Sequence, residues 1–113
     1  MKTWVIFLVF GSVVSGCGQY RHRVVNAGDT LLYAVSVQSA EVEFGHGYLP
    51  SGATKAYSGS MRIVKNPPPV VSWKNEDRGE LIRRIVALPR SQGRGSEVVF
   101  EIMADGSVKA LVR

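Results

Sequence analysis

Alternation of apolar and polar side chains recurs along most of this 113-residue chain. In Glu97–Ile102, Val98, Phe100 and Ile102 fall on one side and Glu97 and Glu101 on the other, the two-residue period of a half-buried strand. Val108, Ala110 and Val112 repeat it opposite Lys109 and Arg113. Between the two runs, Ala104-Asp105-Gly106-Ser107 supplies an Asp-Gly pair that tolerates the positive φ angles of a tight turn, which predicts a terminal β-hairpin. Over residues 31–38 the alternation predicts Leu31, Tyr33, Val35 and Val37 on one face and Leu32, Ala34, Ser36 and Gln38 on the other. Shorter strands are expected at 23–26, 53–61, 70–74 and 81–88, with Val71 and Trp73 turned to the core.

The punctuation agrees with these runs. Asn26-Ala27-Gly28-Asp29 and Pro50-Ser51-Gly52 read as turns. Three successive prolines, Pro67 to Pro69, lack amide donors and belong at an edge or in a connector. No window longer than about ten residues carries the 3.6-residue period of a helix. The expected fold is therefore all-β: a single antiparallel two-layer β-sandwich of immunoglobulin-like type, with about seven strands and a tryptophan near the middle. A small β-barrel is the alternative with the same pattern.

The amino terminus follows a different pattern. After Met1-Lys2, an apolar run from Trp4 extends to Val14, broken only by Gly11 and Ser12. A membrane-spanning helix needs roughly 20 apolar residues, whereas about a dozen suit the core of a secretory signal. The run ends in Val14-Ser15-Gly16-Cys17, which resembles the lipobox of bacterial lipoproteins. The resemblance implies cleavage after Gly16 and acylation of Cys17, the only cysteine, which would then be a lipid anchor. Residues 1–16 are thus expected to be a signal peptide, 17–22 a short lipidated tether containing His22, and 23–113 the sandwich domain. A tether this short holds the domain against the head groups. Gly18, standing where aspartate is associated with inner-membrane retention in that family, implies the outer membrane, facing the periplasm.

Composition narrows the chemistry further. The net charge is +5, and removal of the leader takes away only Lys2 among the basic residues. Because the cations are scattered and the chain is exported, nucleic acid is not an expected partner. A nucleophile elbow, a phosphate-binding Walker loop and a zinc-protease helix motif are all missing from the sequence. Gly45-His46-Gly47 opens like a dinucleotide fingerprint, but Pro50 stands where its third glycine belongs. His22 and His46 are the only imidazoles, and a zinc site wants three or four ligands, so neither a metal nor another cofactor is expected. Glu41 and Glu43, and Glu97 and Glu101, share strand faces that alternation turns to solvent. The chain is not expected to be an enzyme.

Binding is what remains. The segment 43–50 gathers Phe44, His46, Tyr48 and Leu49 among two glycines, and reads either as a contact loop or as core residues around a β-bulge. Arg83-Arg84 interrupts an apolar strand, so at least one arginine should project from an exposed face, where it protects an edge or meets an acidic partner. In size, anchor and lack of an active site the chain is similar to the small immunity lipoproteins that neutralise type VI secretion effectors such as phospholipases. That resemblance implies a protein partner, a toxin, contacted through Phe44, His46, Tyr48, Leu49, Arg83 and Arg84. The alternative is a structural or assembly lipoprotein of an envelope or secretion complex.

Overall fold

The computed structural model describes residues 19–57, 59, 62–89 and 97–113. The leader, Cys17 and Gly18 lie outside the described residues, whereas residues 19–22 of the expected tether are described. Nine strands are present among those described: β1 Gln19–Asn26, β2 Leu32–Ser39, β3 Val42–Leu49, β4 Thr54–Ala56, β5 Ile63–Val64, β6 Val70–Lys74, β7 Ile82–Ile85, β8 Glu97–Ile102 and β9 Val108–Val112. They form two packed sheets without closing into a barrel, so the fold is a β-sandwich. The count exceeds seven because Val42–Leu49 forms a bulged strand, and because β5 lies beyond the strand expected at 53–61, of which β4 is three residues.

One sheet runs in the order β4-β1-β8-β9, with β5 also on β1; the other runs β3-β2-β6-β7. Every pairing is antiparallel except β1 with β8, which run parallel from Arg21 opposite Glu97 to Asn26 opposite Ile102. The β8–β9 hairpin forms as expected. Gly106 takes φ +85, and Asp105 Oδ1 accepts from both the amide and the hydroxyl of Ser107.

Trp73, Phe100, Leu49, Ile63 and Ile102 are the largest fully buried apolar side chains. Each is worth about 1.5–3 kcal/mol relative to exposure. Val71 and Trp73 point inward from β6, and Val98, Phe100 and Ile102 from β8, as alternation requires. In β2 the pattern is broken. Ala34 has φ +51, and the β2–β3 register slips on either side of Val35, which lies opposite Gly47. The slip turns Leu32 into the core and Tyr33 outward, the reverse of the uninterrupted alternation. An extra residue in a ladder shifts every side chain beyond it to the other face.

Two polar side chains stitch the layers together. Asn26, at the end of β1, is fully buried; its Nδ2 donates to the carbonyls of Thr30 at 2.7 Å and Leu49 at 2.8 Å, while its Oδ1 accepts from the Gly28 amide at 3.0 Å. Ser39 Oγ, on β2, accepts from the Val64 amide of β5 at 2.8 Å. Each bond satisfies a backbone group where the two sheets meet.

Candidate functional site

His22 is not in a tether. β1 begins at Gln19, so Tyr20, His22, Val24 and Asn26 share its inward face, and His22 is only 1% exposed. Its ring lies between aromatic walls: stacked on Tyr57 at 5.7 Å, and edge-on to Phe44 at 5.0 Å and Phe100 at 6.2 Å. The fourth neighbour is His46, whose Nε2 is 2.9 Å from His22 Nε2 with the rings at 88°.

A bulge brings His46 there. Ser36 lies opposite Gly45 and Val35 opposite Gly47, so His46 is the extra residue of β3. Gly47 takes φ +67, a conformation that costs glycine nothing. The imidazole turns toward the other sheet and is half-buried, and its carbonyl accepts from Lys55 Nζ at 2.9 Å.

The protonation pattern follows from what is buried. His22 Nδ1 has no hydrogen-bond partner. An orphaned buried N–H is costlier than an unused lone pair, so the proton of His22 belongs on Nε2, donating to His46 Nε2, and His46 carries its own on Nδ1. Burial, reinforced by His46, lowers the His22 pKa from 6.5 to about 4. Burial, reinforced by Lys55, lowers that of His46 as well. The pair is neutral at neutral pH and takes up a proton only in acid. No third His, Cys, Asp or Glu joins it to make a metal-binding group among the described residues.

The other residues singled out in the sequence are dispersed. Phe44 and Leu49 are buried in the core and offer a partner no surface, because the glycines around them form a bulged strand. Tyr48 is 59% exposed and meets Tyr33 edge-to-face at 5.5 Å on the outer side of the β3-β2-β6-β7 sheet. Arg83 lies opposite Ser72 on that same outer side. Arg84 faces the other way, opposite Val71; its Nε donates to the Gly106 carbonyl at 3.0 Å, bridging β7 to the β8–β9 turn. It stands over a polar cleft of about 190 Å³ floored by Leu32, Trp73 and Ile102.

The outer face of the β3-β2-β6-β7 sheet therefore carries Tyr48, Tyr33 and Arg83, together with Ile85, which is 77% exposed. Tyrosine and arginine are over-represented among residues that dominate protein interfaces. Neither Tyr33 nor Ile85 was among the contact residues read from the sequence: alternation put Tyr33 on the face of Val35 and Val37 because the bulge at Ala34 was hidden, and Ile85 looked like one more apolar position in a run from Leu81 to Leu88. His22 was legible only with β1 extended back to Tyr20, where the alternation resumes. Comparison of the chain with protein-family models, with curated proteins and with solved structures finds no match.

Proposed function

We propose that the chain is an envelope lipoprotein, anchored through Cys17, that binds a protein partner through the outer face of its four-stranded sheet. The observation that carries the reading is the exposure of Tyr48, Arg83 and Ile85 on one rigid sheet face, where β-structure fixes the backbone and little ordering entropy is lost on binding. A single sheet face of this kind can contribute the ~800 Å² per partner of a standard interface. The more specific form of the proposal is neutralisation of a secreted antibacterial effector, in which the sandwich covers the effector's working cleft.

The anchor and the neutralising role have separate tests. Cys17→Ser should move the protein from the membrane to the soluble fraction, or leave its leader uncleaved; processed protein that stays on the membrane would remove the anchor. Cells lacking the gene should be killed by wild-type siblings in contact competition, and be rescued by the anchored protein. Undiminished survival would remove the neutralising role while leaving the binding face to be judged on its own. A second reading, a subunit of an envelope assembly, draws on the edge strand β7, which among the described residues pairs with β6 alone and so offers one side for strand addition. It predicts a stable complex on purification and no protection from siblings.

A further inference from the structure

We infer that a trough across the outer face of the β3-β2-β6-β7 sheet, formed by Gly45, Ser36, Ser72 and Arg83, seats a carboxylate side chain of the partner protein. The inference rests on the binding role proposed above and names the chemistry of its contact.

The four residues lie in one line across the strands, because Ser36 is opposite both Gly45 and Ser72, and Ser72 is opposite Arg83. With strands ~4.8 Å apart the row is about 14 Å long. Its floor is low: a Cβ at Gly45 would meet nothing within 4 Å, and the next two side chains are serines. On one side stands the row of Glu43, Gln38, Val70 and Ile85; on the other are Tyr33, Tyr48 and Lys74. Glu43 stands on β3, three strands from Arg83 on β7, so the end of the trough that favours an anion is the arginine end.

The floor has one hydroxyl proton more than its own bond uses. Ser36 Oγ and Ser72 Oγ are 2.8 Å apart, and two hydroxyls carry two protons of which the bond between them uses one. The second is left to donate outward. Ser36 is only 9% exposed, so water reaches it poorly. At the open end the Arg83 side chain makes no hydrogen bond or ion pair with any described residue; its own carbonyl accepts from Arg84 Nη1. A hydroxyl proton and a guanidinium in one line make a two-point receptor for an acceptor-only anion, and charge-assisted bonds of this type are the strong ones. The positive balance of the chain favours an acidic partner surface in the same sense.

The test uses the full chain in its own cells. A photoreactive benzoylphenylalanine is placed at Gln38 or Ile85, flanking the trough, and at Lys109, on the other sheet, as the control. Trough positions should give one adduct with a protein of different mass, and the crosslinked peptide should contain an Asp or Glu. Arg83→Glu should cut the adduct at least tenfold, with the melting temperature unchanged because Arg83 is exposed. Ser36→Ala combined with Ser72→Ala, which removes both hydroxyl protons without altering charge, should cut it three- to tenfold. Reversing the partner's acid to lysine should restore the adduct to the Arg83→Glu chain. An adduct of twice the chain's own mass, a lipid adduct, or a yield indifferent to Arg83→Glu overturns the inference. Adducts at Lys109 alone overturn the trough and the assignment of binding to this sheet face, and leave standing only that the chain binds a protein; protein adducts at none of the three positions overturn that as well.

Discussion

Acidification from pH 7 to pH 5 protonates His22 in the unfolded chain but not in the folded one. The folded pKa is lowered from 6.5 to about 4, first by burial and then by His46. Between those two values the folded state binds fewer protons than the unfolded state, so stability must fall as the pH falls, and the loss from this group levels off below pH 4. A tenfold difference in proton affinity between the two states is worth ~1.4 kcal/mol, so the whole effect is about 3 kcal/mol, of which about 2 kcal/mol is lost between pH 7 and pH 5. Against a total of about 5–15 kcal/mol for a domain of this size, that is a large fraction. Urea unfolding followed by tryptophan fluorescence should show the midpoint falling by on the order of 1 M over this interval. In His22→Leu the fall should shrink to the share of His46, whose pKa is also lowered. Lys55, on β4, donates to the His46 carbonyl and helps to lower the pKa of that ring, and Asp105, whose pKa lies below its usual 3.8, titrates outside the window. A slope in His22→Leu equal to that of the wild type would refute the reasoning. So would a flat wild-type curve.

Two further substitutions probe the joints of the fold. Asn26→Ala removes one acceptor and two donated bonds from a buried junction and leaves the Leu49 carbonyl and Gly28 amide without partners, which should cost about 2–4 kcal/mol in chemical denaturation. Gly47→Val places a branched side chain at φ +67, where nothing crowds its Cβ, so the expected loss of about 1–3 kcal/mol is backbone strain alone. Gly45→Ala, at ordinary φ and in open space, should stay within about 0.5 kcal/mol of wild type and serves as the control.

The sandwich and its terminal hairpin were legible because the inward faces of β6, β8 and β9 carry apolar residues at every second position, and because Asp105-Gly106 marks the β8–β9 turn. The faces of β2 were not legible. A bulge adds a residue without changing composition, and Ala34 gives no sign in the sequence that it will adopt a positive φ. The same limit hid the histidine pair. His22 and His46 are 24 positions apart, and their contact depends on two strands from different sheets meeting through one extra residue between two glycines. Gly45 and Gly47 did announce a bulge, yet which way His46 would turn was a property of the partner strand. That at least one of Arg83 and Arg84 projects from an exposed face could be read, but sequence offered no means to say which lies on which side until Ser72 and Val71 stood opposite. The trough is invisible for a similar reason, since its four residues come from four strands.

The parallel seam between β1 and β8 joins positions about seventy-five apart in the chain and lies in the middle of its sheet. No early segment can supply the missing ladder, so the polymer must be nearly complete before its first strand is locked on both sides. Contacts of such long sequence separation make folding slow. Until residues 97–102 arrive, β1 keeps one side of its backbone open, and the centre of its sheet is the last part to close.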